Sequence, residues 1–125
     1  MKILIVRHAL AADKKKFKKT GKPDSLRPLT AEGKKKMRRA ARGLKRIAPS
    51  VELIASSPFL RAKQTGEIVS REFRGAKIIL VEELSADAAP RDAVRWLDRR
   101  REKAVALVGH EPHLSRLIAL LLAGN

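Results

Sequence analysis

Arg7-His8 and Gly109-His110 each close a short aliphatic run, and Arg61 follows three residues after Ser57-Pro58. Residues of these types make a site for a phosphate dianion. Arginine grips phosphate oxygens bidentately and keeps its charge at every working pH. A neutral imidazole is a competent nucleophile toward phosphorus, and covalent transfer divides one difficult step into two easier ones. With His8 as nucleophile, the equatorial charge of a transferring phosphoryl group is met by Arg7, Arg61 and a protonated His110. This chemistry requires no metal or cofactor, so none is expected, and no carboxylate-rich cluster argues otherwise.

Such residues act only if the chain brings them together. Lys2–Val6, Val51–Ala55, Lys77–Val81 and Ala104–Val108 are apolar, rich in Ile, Val and Leu, and read as strands. Ala9–Pro28 is charged and broken by Gly21, Pro23 and Pro28, which predicts a loop with at most a turn or two of helix. Thr30 caps a helix that turns Met37, Ala40, Ala41, Leu44 and Ile47 inward and ends at Pro49. Ser57-Pro58 opens a helix with Ala62, Thr65, Ile68, Val69 and Phe73 on its inner face. Pro90 opens a third, carrying Val94, Trp96 and Leu97. Pro112 opens the last, with Leu114, Leu117, Ile118 and Leu121 inward. Strands alternating with helices predict one α/β domain over residues 1–125, a three-layer α/β/α sandwich around a mostly parallel sheet.

In an open parallel sheet, ligands bind beyond the carboxyl ends of the strands. That rim receives Arg7 and His8, Ser56 and Ser57 with Arg61 close behind, Glu82 and Glu83, then Gly109, His110 and Glu111. Plainer readings stand beside each residue. Arg7 would serve as a solvated strand end, His110 as a core histidine, and Glu83 as a surface carboxylate. Arg61 would pair with an acidic neighbour, yet a helix N-terminus is a poor place for a cation unless an anion shares it. His113 is expected on a helix surface, and His110-Glu111-Pro112-His113 lacks the spacing of a helical zinc-protease motif. Convergence of two histidines and two arginines on one rim favours the functional reading.

Four motifs now appear in order: Val6-Arg7-His8-Ala9, Leu29-Thr30-x-x-Gly33, Ser57-Pro58-x-x-Arg61-Ala62-x-x-Thr65 and Val108-Gly109-His110. Together they resemble the histidine phosphatase superfamily, with its phosphoglycerate mutase-like fold. Arg27-Pro28-Leu29-Thr30 and Ser57-Pro58-Phe59-Leu60-Arg61-Ala62 resemble its SixA-type phosphohistidine phosphatase branch in particular. The resemblance runs from Lys2 to about Leu121. It implies His8 as the phosphorylated nucleophile, Arg7 as its neighbouring clamp, and Arg61 and His110 as the remaining phosphate-binding residues. It makes Glu83 the best match to the general acid of larger members, and Arg27 a substrate contact at the pocket mouth. A phosphoramidate leaves through an imidazole nitrogen that is readily protonated, so it needs less help from an acid than an alkoxide does. Three departures stand out: Ala9 in place of glycine, the basic run Lys14–Lys19, and the absence of the further strands with which relatives usually continue. The last is expected of a truncated chain or of a minimal form, and an unpaired edge would invite association with another chain.

The bulk composition fits this reading. Lys and Arg total 29 against 13 Asp and Glu, a net charge of +16 that concentrates anions around the surface. The absence of cysteine excludes a disulfide framework, a thiolate zinc site and a Cys nucleophile. No apolar run reaches the length of a signal peptide or membrane span, so a cytoplasmic protein is expected. Three functions compete: hydrolysis of phosphohistidine on a protein, hydrolysis of small phosphate monoesters or sugar phosphates, and polyanion binding with the pocket idle. Nucleic acid is not an expected partner, because only 3% of residues are aromatic and stacking surface is scarce.

Overall fold

Every residue of strand β4 (Ala104–Gly109) is buried. A strand covered on both faces needs an unbroken small or aliphatic run, and Ala104-Val105-Ala106-Leu107-Val108-Gly109 is one. Strand β4 pairs with β1 (Lys2–Arg7) on one side and with β2 (Leu53–Ser56) on the other; β3 (Lys77–Leu80) pairs with β2 and completes the order β1-β4-β2-β3. All three pairings are parallel. The computed structural model describes residues 1–124; Asn125, the last residue of the expected domain, lies outside them.

Alternation along the strands divides the core into two layers. Val6, Ile54, Ala106 and Val108 meet Met37 and Ala41 of α2 (Ala31–Ile47) and Ala62, Ile68 and Val69 of α3 (Leu60–Ser70). Leu53, Ala55, Val105 and Leu107 meet Trp96 and Leu97 of α4 (Pro90–Asp98) and Leu117 of α5 (His113–Leu122). This is the α/β/α sandwich the sequence predicts. A short helix, α1 (Lys14–Lys18), and 3₁₀ turns at Asp24–Leu26 and Glu82–Leu84 fill the connections. Among the described residues no helix is long and apolar enough to cross a membrane.

Several predicted boundaries and faces shift. β2 begins at Leu53 rather than Val51 and runs on to Ser56, and β3 stops at Leu80. α3 begins at Leu60, not Pro58. The Ser57 hydroxyl does accept the Phe59 N–H at 3.2 Å, but the helical ladder starts only with Lys63 N–H donating to the Phe59 carbonyl. Ala40, Ile47 and Ile118 face solvent rather than the core. Ile47 is 80% exposed because it lies in the last turn of α2. Leu44 and Leu121 are half-buried against the two layers.

One contact fixes how α2 enters the fold. Thr30 caps it, its Oγ1 accepting the Gly33 N–H at 2.9 Å, while the Thr30 N–H donates to the Leu10 carbonyl at 3.0 Å. The first turn therefore lies directly on the backbone that follows His8. A Cβ at Gly33 would collide with the Leu10 carbonyl oxygen. Gly33→Ala should therefore destabilise the fold by about 1–3 kcal/mol, although alanine is the better helix former. Urea unfolding checks this: a variant as stable as wild type would mean that the segment yields without cost.

Candidate active site

The register of β1 and β4 builds the site. Val6 lies opposite Val108 and Arg7 opposite Gly109. The next residues on the same face are His8 and His110, whose ring centroids are 5.2 Å apart at an interplanar angle of 57°. The His8 N–H still donates to the Gly109 carbonyl at 3.0 Å, so the His8 backbone belongs to the sheet ladder. The following amide, Ala9 N–H, donates to Thr65 Oγ1 at 3.0 Å, and Thr65 in turn donates to the Arg61 carbonyl at 2.8 Å.

The His8 side chain has a defined tautomer. Its Nδ1 lies 2.7 Å from the Ala9 carbonyl, which accepts only from a protonated Nδ1. Nε2 is left with its lone pair. Burial lowers the His8 pKa from its ordinary value, the Ala9 hydrogen bond works the other way, and the charges of Arg61, Arg7 and Arg27 add to the lowering. The His8 imidazole is therefore held toward its uncharged form at neutral pH.

His110 is buried, and its Nε2 lies 2.7 Å from Ser57 Oγ. Burial, then the charges of Arg61 and His8, push its pKa down to about 3. The free cleft thus holds a neutral His110; the protonated form expected from sequence belongs to the step in which a phosphoryl group is transferred. His110 Nδ1 and Arg61 Nε are both buried without a hydrogen-bond partner among the described residues.

The arginine wall contains an acid that sequence reasoning missed. Arg61, 4% exposed, donates from NH1 to the Asp24 carbonyl at 2.8 Å and from NH2 to Asp24 Oδ2 at 3.0 Å. Arg27 Nε donates to Asp24 Oδ1 at 2.8 Å, and its NH1 to the Ala12 carbonyl at 2.9 Å. The guanidinium of Arg61 also lies 5.1 Å from the Phe59 ring, which packs edge-on against His110. Burial pushes the Asp24 pKa up, but the Arg27 hydrogen bond and the Arg61 charge outweigh it, and the carboxyl is held below its ordinary range. The only available signal was the three-residue spacing of Asp24 and Arg27; the contact with Arg61 spans 37 residues.

Arg7, His8, Arg27, Arg61 and His110 thus line one cleft of roughly 520 Å³, together with Lys14, Asp24 and Glu111. Glu83 does not line it; its carboxylate lies 4.0 Å from Arg99. Glu111 is occupied by Ser115, whose N–H and hydroxyl donate to it and lower its pKa. His113 is buried, not on the surface, close to the backbone of Glu83 and Ala89. Among the described residues neither of its ring nitrogens has a partner of good hydrogen-bond geometry, and burial lowers its pKa while those two backbone groups work the other way. Among the described residues no cluster of His, Asp and Glu has the spacing of a metal site.

A parallel α/β sheet with a His–Arg cleft at its carboxyl rim defines a protein of phosphoglycerate mutase-like fold. Residues 3–86 match the profile of the histidine phosphatase superfamily, branch 1, and the chain belongs to that superfamily. An uncharacterized protein of Picosynechococcus sp. is 31% identical over 128 residues, covering 100% of this chain and 75% of the relative. The SixA protein of Agrobacterium tumefaciens, described as a candidate phosphohistidine phosphatase, superposes with a TM-score of 0.84 at 26% identity. That match covers 96% of this chain and 75% of the other. The protein histidine phosphatase SixA in complex with tungstate gives 0.80 at 29% identity, over 95% and 75% of the two chains. Phosphoglycerate mutase from Plasmodium falciparum gives 0.73 at 21% identity, over 97% and 68%, a likeness of fold alone.

Two outcomes follow from the electrostatics. Asp24 holds Arg61 in place but also competes with an incoming anion for it. Asp24→Asn should lower Tm by about 4 °C, for a loss of about 1 kcal/mol once solvent screening of the half-open pair is counted. The same variant should tighten competitive inhibition by inorganic phosphate severalfold; unchanged inhibition would show that Asp24 and phosphate do not compete. Separately, all three histidines bind protons less readily folded than unfolded. Stability should then be full above the unfolded histidine pKa of about 6.5 and decline as the pH falls from there toward 3. Thermal unfolding across pH 7 to 4 reads this directly, and a flat profile would contradict the buried, neutral histidines.

Proposed function

We propose that the protein is a phosphatase that hydrolyses phosphohistidine on a protein substrate through a phospho-His8 intermediate. The observation that carries this reading is the state of the carboxyl groups in the cleft. Asp24 is ion-paired to two arginines, Glu111 accepts two hydrogen bonds from Ser115, and Glu83 lies outside. None stands free in the cleft to protonate an alkoxide leaving group. A phosphoramidate does not require one, because the departing imidazole is neutral once its distal nitrogen carries a proton.

Arg7, Arg27 and Arg61 receive the phosphate oxygens. His8 Nε2 forms a bond to phosphorus as the bond from phosphorus to the substrate imidazole breaks. Water then attacks phospho-His8, orthophosphate leaves, and Nε2 regains its lone pair. His110, neutral in the free cleft, gains proton affinity as negative charge enters, so that it donates to the equatorial oxygens when they carry most charge. The hydroxyl of Ser57 keeps the His110 ring oriented for that task. The reading places the reaction in the cytoplasm and assigns no step to a metal ion.

Phosphate release from a phosphohistidine-bearing protein and from an alkyl phosphate, both in EDTA, tests the reading. Wild type should favour the phosphohistidine substrate, and His8→Ala should lose at least about a thousandfold in rate, the scale for a nucleophile. Faster turnover of the alkyl phosphate, or activity surviving in His8→Ala, would overturn it. Glu83→Gln should stay within about threefold of wild type, since its side chain faces Arg99 instead of the cleft. Because the His8 pKa is lowered, the acid limb of kcat/KM should fall below pH 6.5. A limb above that value would mean that His8 is not the group titrating.

A further inference from the structure

A second groove of roughly 320 Å³ opens beside the catalytic cleft, lined by Lys14, Phe17, Lys18, Lys22 and Asp24. Lys14 and Asp24 line both, so cleft and groove adjoin. The one acid in the groove is already committed, because Asp24 pairs with Arg27 and Arg61 on the cleft side. The lysines are not committed. Among the described residues, Lys14, Lys18 and Lys22 have no carboxylate within 4.0 Å. Asp13, the nearest acid in sequence, caps α1 by accepting the Lys16 N–H at 2.9 Å. Phe17 is half-buried and gives the groove an apolar wall.

We propose that this groove is a subsite for carboxylate side chains flanking the phosphorylated histidine of a protein substrate. The inference rests on the phosphohistidine reading and narrows its substrate to an acidic segment. The choice of cation separates the two sites. The cleft presents the guanidinium groups of Arg7, Arg27 and Arg61, whose rigid forks match one tetrahedral anion. The groove presents only ammonium groups on flexible stems. Mobile point charges follow carboxylates whose positions differ between substrates, while the methylene groups of glutamate pack against Phe17. Because Lys14 and Asp24 line both cleft and groove, residues close in sequence to the phosphohistidine are the ones that would meet the groove. Lys15, Lys16 and Lys19, all exposed on the same segment, extend the positive field that draws such a peptide in.

The test is fluorescence anisotropy at low salt with two labelled peptides, each carrying a non-hydrolysable phosphohistidine analogue. One has glutamate at the flanking positions and the other glutamine. Wild type should bind the glutamate peptide about fivefold more tightly, the sum of a few exposed ion pairs. Lys18→Gln/Lys22→Gln should bring the two affinities within about twofold of each other. Lys45→Gln/Arg46→Gln removes the same two charges from the far end of α2 and should keep the wild-type preference. Equal binding of the peptides by wild type, or by both double variants, would overturn the subsite, as would a preference that survives Lys18→Gln/Lys22→Gln. Turnover of the corresponding true phosphohistidine peptides reads the parent proposal separately. Charge preference in binding without turnover would sink the phosphohistidine reading and leave the groove standing.

Discussion

The in-register pairing of β1 with β4 is the constraint on which the rest of the molecule depends. Side chains alternate along a strand, so a one-residue slip would turn one imidazole of the His8–His110 pair to the opposite face of the sheet. The observed register sets the two rings side by side and lets the sheet ladder continue through the His8 amide. What fixes that register is the complete burial of β4, whose apolar residues must satisfy both core layers at once. Precision at the site is thus borrowed from packing beneath it. The first turn of α3 and the Asp24–Leu26 turn then attach arginine and carboxylate to a frame already determined.

The electrostatics of the cleft balance two requirements that conflict. Oxyanion capture needs concentrated positive charge, and nucleophilic attack needs an uncharged imidazole. Arginines meet both, because they stay cationic and their charge disfavours protonation of the neighbouring histidines. Asp24 limits the repulsion between Arg27 and Arg61 by bridging them. It also explains how Arg61 tolerates near-complete burial, since an unpaired buried guanidinium would be far more costly.

Much of this was legible in the sequence because Arg7-His8 and Gly109-His110 close aliphatic runs and Arg61 sits in the first turn of the helix that Ser57-Pro58 announces. Arg7, His8, Arg61 and His110 converge as the strand and helix order implies, and Thr30 and Pro90 open helices where their chemistry predicts. Asp24 was invisible for a physical reason: its partner Arg61 is distant in sequence, and the irregular loop between Gly21 and Pro28 has no periodicity to orient a side chain. His113 was misplaced because a polar residue in the first turn of a helix ordinarily faces water, whereas here it lies against the backbone of Glu83 and Ala89, far from it in sequence. Ser57 was read as a helix cap, whereas its hydroxyl is shared between Phe59 and His110. Ile47 and Ile118 obey the helical period yet lie past the reach of the sheet.

The contrast between β4 and α1 extends beyond geometry to the time domain. Every residue of β4 is buried, and α1 buries none. Local opening free energies follow such differences, ranging from near zero in exposed segments to the global value in core strands. The amides behind His110 therefore belong to the slowest-exchanging part of the molecule, and those of Lys14–Lys18 to the fastest. The wall of the cleft built on β4 can open only together with the core, whereas the adjoining basic edge can open by itself.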